Sequence, residues 1–95
     1  IEDNAAAAVA LRKVLVLEPE NLKAHRSLAR ILVNQENYKE AIQLLQQAVD
    51  IEPSNYKLHR ELASTLKKAG RKKESKAEYK KARILKGDSN QATVQ

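Results

Sequence analysis

The sequence predicts an all-α chain, a short solenoid of antiparallel helix pairs. Three observations carry that expectation. Pro19 and Pro53 stand 34 residues apart, and Leu17-Glu18-Pro19-Glu20-Asn21 returns as Ile51-Glu52-Pro53-Ser54-Asn55. At that offset residues 17–50 and 51–84 share twelve identities, His25, Arg26, Leu28, Ala29 and Leu32 among them, and a fixed period of this size is the mark of stacked supersecondary units. Breakers are scarce, with two Gly and two Pro in 95 residues. The apolar residues recur at helical spacing. With no Phe, Trp or Met, the core falls to Leu, Ile, Val and Ala, which suits many short helix contacts better than one deep core.

Asn4 to Leu17 reads as the first helix, because Asn4 can cap and the run from Ala5 has high helix propensity. Glu18-Pro19-Glu20 breaks it, since proline cannot continue a helix interior. Asn21 caps a second helix from Leu22 to about Asn34, with His25, Leu28, Ala29 and Leu32 on one side. Gln35-Glu36-Asn37 forms a tight turn. Tyr38 to Ile51 is the third helix, with Ala41, Ile42, Leu45, Ala48 and Val49 on one side, and Pro53 ends it. Asn55 caps the fourth, Tyr56 to Ala69, which repeats the second through His59, Leu62, Ala63 and Leu66. Gly70 supplies a permissive helix stop. The fifth helix runs from about Lys72 to Lys86, Gly87 ends it, and 88–95 is a polar, disordered tail.

The net charge of +6 is unevenly spread. Residues 1–21 carry two basic and four acidic side chains, 22–55 four of each, and 56–95 twelve basic and four acidic, so the basicity belongs to the last third alone. Absence of cysteine excludes disulfides, thiolate zinc sites and cysteine nucleophiles, and fits a reducing compartment, with the cytoplasm as default. No apolar run approaches the roughly 20 residues of a membrane-spanning helix. A chain beginning at Ile1 reads as a fragment or a processed product, with any targeting segment upstream.

The period and the small-residue positions resemble the tetratricopeptide repeat, a 34-residue pair of antiparallel helices. Leu28 and Ala29 match that family's Leu-Gly pair, Leu32 its first-helix Tyr, and Ala41, Leu45 and Ala48 its second-helix Ala, Phe and Ala, with Pro53 closing the unit. Leu62, Ala63, Leu66, Gly70, Tyr79 and Ala82 match in the next unit, and Ala7, Leu11, Val14 and Pro19 in an earlier one. His25 and His59 replace the family's Trp, Ser75 its second-helix Ala and Gly87 its Pro. The resemblance implies a right-handed α-solenoid of about two and a half units. Residues 1–21 are then the second helix of a truncated unit plus a linker, 22–55 one unit, and 56–87 a C-terminal unit with a polar outer face.

The two ends differ. Ile42 and Val49 should pack on a following helix, but their equivalents in the last unit are Lys76 and Arg83, so 72–86 is expected to end the array. The helix 4–17 is apolar nearly all round and expects burial on both sides. That face marks either a truncated array or a homodimer contact.

First helices of this family line the concave face. Lys23, Arg26 and Arg30 share one side of the second helix, and Lys57, Arg60, Ser64, Lys67 and Lys68 stand at matching places on the fourth. Two such stripes form a basic concave groove suited to an acidic or extended segment of a partner protein. Some family members hold acidic chaperone tails through a Lys and Asn clamp; Arg26 and Lys57 fit it, whereas Arg30 and Ser27 stand where Asn is expected. The competing account is a plain solvated helix face. The run from Lys67 to Lys86 suggests nucleic-acid or anionic-surface binding, but Tyr79 is its only aromatic and no stacking platform is apparent. A purely structural end cap is the third alternative. His25 and His59 recur one unit apart, about 10 Å in a stack, with no acidic residue at ligand spacing to either, so they read as core or groove-edge residues. No cofactor or metal site is expected. No Gly-rich phosphate loop, nucleophile elbow or His-carboxylate motif occurs, so no enzymatic activity is expected.

Overall fold

The computed structural model describes the backbone of residues 3–94 and the side chains of residues 3–87. Among them are five helices: α1 Asn4–Leu17, α2 Leu22–Asn34, α3 Tyr38–Ile51, α4 Tyr56–Lys68 and α5 Lys72–Val94. Helices α2 and α3 form one antiparallel hairpin and α4 and α5 the next, while α1 packs on α2 and α3 on α4. The array is elongated, 51 × 28 × 23 Å, with a radius of gyration of 14.6 Å. A compact domain of this length would have a radius of about 12 Å.

Each linker repeats one local device. The Asn21 side chain accepts the Ala24 N–H at 2.9 Å and donates to Glu18 at 2.8 Å. His25 Nε2 donates to the Pro19 carbonyl at 2.9 Å. One unit later Asn55 accepts from Lys57 N–H at 3.0 Å and donates to Glu52 at 3.1 Å, and His59 Nε2 donates to the Pro53 carbonyl at 2.7 Å. The repeated Glu, Pro, Asn and His are thus one hydrogen-bonded unit that caps a helix and turns the chain. The core beneath it is aliphatic: Leu28, Leu32, Leu58 and Leu66 are fully buried, with Ala29, Ala41, Ala48 and Ala63 where helices approach closely.

Three expectations are corrected. Asp3, not Asn4, caps α1, accepting from Ala6 N–H at 3.0 Å; its carboxylate is also favoured at the positive helix end. Helix α4 stops at Lys68, with Ala69 as its cap residue. Helix α5 passes Gly87 and continues to Val94, so the expected tail is helical that far, and Gln95 lies outside the described residues. Gly87 does not take positive φ. It therefore makes no left-handed stop, and no proline follows to force one. On α1, Ala8 is buried against the core, while Val9, Val16 and Leu17 are exposed.

Ser75, where the family has Ala, is 3% exposed. Its hydroxyl donates to the Ala63 carbonyl at 2.8 Å and ties α5 to α4. The departure is therefore absorbed without leaving a buried polar group unpaired.

Candidate functional site

Helix α3 packs on both α2 and α4, and a side-chain bridge links the two. Arg26 Nε donates to both oxygens of Glu61, at 3.0 and 3.1 Å, and Arg26 Nη2 makes a further bond to the same carboxylate. Both side chains are about one-third exposed. These bonds raise the Arg26 pKa above its ordinary value, with burial opposing. A two-pronged contact of this kind fixes the plane of the guanidinium as well as its position.

Beside this bridge lies a hollow of about 270 Å³ between α2, α3 and α4. Its floor is Ala29, Val33, Leu45 and Thr65, and its polar rim is Arg26, Arg30, Asn34, Glu61, Ser64 and Lys68. Three cations face one carboxylate there. Asn34 and Ser64 add neutral groups able to donate to or accept from a peptide backbone. The space is below the 300–1,000 Å³ usual for small-molecule sites. It fits side chains of an extended segment better than a cofactor.

Of the sequence-derived groove residues, the structure brings Arg26, Arg30, Ser64 and Lys68 to the hollow. Lys23, Lys57 and Lys67 are exposed and outside it. Arg60 lies elsewhere, its guanidinium 5.9 Å from the Tyr56 ring centre, on a second hollow at the far end of the array. Asn34 was not read from the sequence as a groove member, and the pairing of Glu61 with Arg26 was not foreseen. The available signal for Glu61 was its place one position past the Arg60 stripe, a lone acid amid bases.

The histidines belong to packing. His25 and His59 are 3% and 6% exposed. His25 Nδ1 has no partner, whereas His59 Nδ1 meets Glu78 at 2.8 Å. Glu78 reaches His59 although nineteen residues separate them in sequence, because α5 folds back along α4. Among the described residues no cluster of His, Asp or Glu has the form of a metal site, and no helix is long and apolar enough to cross a membrane.

Two family models, both described as tetratricopeptide repeat, match residues 1–56 and 32–95. The chain belongs to the tetratricopeptide repeat family. Solved structures with the same fold include MamA MSR-1, at 29% identity with a TM-score of 0.84 over 90% of this chain and 49% of that one. MamA AMB-1 aligns at 30% identity and TM-score 0.81, covering 86% of this chain and 48% of its own. A further MamA crystal structure, at 18% identity and TM-score 0.86 over 95% of this chain and 49% of that one, shows the fold alone. The chain thus spans about half the length of these tetratricopeptide proteins. No curated protein matches it. Tetratricopeptide repeats are protein-interaction scaffolds, and that general role extends to this chain.

Proposed function

We propose that this tetratricopeptide chain holds an extended acidic segment of a partner protein in the hollow between α2 and α4. The observation that carries the reading is the rim: Arg26, Arg30 and Lys68 against the single carboxylate of Glu61, above an apolar floor. Arg26 is already answered by Glu61. Its part is to hold the two helices in register while Arg30 and Lys68, both exposed and making no ion pair among the described residues, meet the partner's carboxylates. Each well-formed charged hydrogen bond of that kind contributes about 1.5–3 kcal/mol. Asn34 and Ser64 take the intervening peptide groups.

A titration of acidic peptides against the whole chain tests this. Arg30→Glu with Lys68→Glu is expected to weaken binding about a hundredfold, and Lys80→Glu on α5 to leave it unchanged. Equal affinity in the double variant would remove the groove from consideration. The alternative, nucleic acid or an anionic surface on α5, is favoured by its exposed Lys72, Lys73, Lys76 and Lys80, which lack carboxylate partners among the described residues. Short DNA and RNA at two salt concentrations read that alternative: loss on Lys80→Glu with a steep salt slope would transfer the function to α5. Silence in both panels would leave a structural end cap.

A further inference from the structure

We infer that the open end of the last hairpin is a second, separate interaction surface, a dock for an acidic α-helix of a partner protein. Tyr56, Arg60, Tyr79, Ala82, Arg83 and Lys86 surround a hollow of about 350 Å³ between α4 and α5. The same six positions one unit earlier are Leu22, Arg26, Leu45, Ala48, Val49 and Glu52. There a helix covers the equivalent face: α4 lies against α3, and its Glu61 closes the charge of Arg26. Arg60 is the counterpart of Arg26, and no carboxylate pairs with it among the described residues.

The substitutions between the two units run in one direction. Val49 becomes Arg83 and Glu52 becomes Lys86, while the aliphatic Leu22 and Leu45 become tyrosines. An array end needs only a polar face, of either charge. Among the described residues this face holds three cations and no acid. Two of the cations gather on one ring, Arg60 at 5.9 Å and Lys86 at 5.7 Å from the centre of Tyr56. Both are held by the ring and by no carboxylate among the described residues, so each keeps its charge for an incoming acid. Tyr79 and Ala82 supply the apolar floor on which a helix can rest.

The preceding junction also states what the occupant needs. Facing the first hollow, α4 presents Glu61, Ser64, Thr65 and Lys68. These are spaced i, i+3, i+4 and i+7, one acid beside small residues and a base at the far end. A helix for the terminal face keeps the acid for Arg60 and the small residues, and replaces the far base with a second acid to meet Arg83 and Lys86.

The test uses the whole chain and a stapled helical peptide with Glu at i and i+7 and Ser or Thr between, followed by fluorescence anisotropy. Arg60→Gln with Arg83→Gln is expected to weaken binding about a hundredfold, tenfold for each ion pair lost. Both side chains are exposed, and an unchanged melting curve shows that the variant remains folded. The groove variant Arg30→Glu with Lys68→Glu should bind the stapled helix like wild type, which separates this surface from the groove. Equal affinity of the Arg60 and Arg83 variant overturns the proposal. So does equal affinity for the peptide with Gln at both acidic positions. A short RNA that binds the same residues more tightly than the helix would overturn the partner class.

Discussion

One left-handed residue closes each hairpin, and the two hairpins solve the problem differently. Gly70 has φ 83° and Glu36, its counterpart one unit earlier, φ 61°. Both turns are sealed alike, Arg71 N–H to the Leu66 carbonyl at 2.9 Å and Asn37 N–H to the Leu32 carbonyl at 2.8 Å. Glycine takes this conformation freely, whereas any other residue loses about 1–2 kcal/mol. Glu36→Gly is therefore expected to stabilise the chain by up to about 1 kcal/mol, since the greater unfolded-state freedom of glycine offsets part of the relief. Gly70→Ala should destabilise by a similar amount. Space is not at issue, because nothing lies within 4 Å of an added Cβ. Denaturant midpoints of the two variants check both signs. The glycine was legible in the sequence and the strained glutamate was not, because only the 34-residue register identifies position 36 as the equivalent of 70. The histidines were legible as inner-face residues. Their bonds to the proline carbonyls were not, because those carbonyls are freed only by the way the linker turns.

Helices were easier to read than their ends. The starts of α2, α3 and α4 follow from Asn21, Tyr38 and Asn55, where proline or a turn leaves one choice. The end of α5 escaped because a glycine stops a helix only when it enters the left-handed region, and Gly87 does not. The groove was half legible for a similar reason. Helical spacing puts Arg26 and Arg30 on one side, but only the crossing of α2 and α4 puts Glu61 onto Arg26. The start of α5 carries a pH-dependent contact. Arg71 donates to Glu74 at 2.7 and 2.8 Å and holds its carboxyl below the ordinary carboxylate pKa, with slight opposition from burial. A carboxyl lowered on folding adds stability above its unfolded pKa and loses it as pH falls through the folded value. Exposed pairs contribute little, though Glu74 also faces the positive end of α5. Glu74→Gln should therefore lower the melting temperature slightly at neutral pH. That difference should vanish in acid, below the folded pKa. A difference that persists there would show that the side chain acts through packing instead.

At the scale of the molecule the two ends are chemically unlike, cationic on α5 and apolar on α1. Val9, Val16 and Leu17 are 54%, 79% and 82% exposed, beside the exposed Ala5, Ala6 and Ala10. On α3 the counterparts of Val9 and Val16 are the exposed polar residues Gln43 and Asp50, so the side that is polar there is apolar on α1; among these exposed positions only Ala10 has a buried counterpart, Leu44. We expect α1 to pair with α1 of a second copy through a two-fold contact at high protein concentration. Burying a valine or leucine yields about 1.5–3 kcal/mol. Association costs about 4–15 kcal/mol, so the gain from three such residues on each copy barely exceeds the loss. Sedimentation equilibrium should then find a monomer at low micromolar concentration and a dimer only in the region of hundreds of micromolar. Lys13 lies on the same stripe as Val9 and Val16, four residues from one and three from the other, and its amine must bend to the rim when two copies meet. Opposite shifts from two variants follow. Val16→Glu sets like charges against each other across the two-fold axis and should leave only monomer. Lys13→Leu removes a buried cation from the contact and should tighten the dimer by about tenfold or more. If both variants sediment as wild type does, α1 is not the surface on which copies meet.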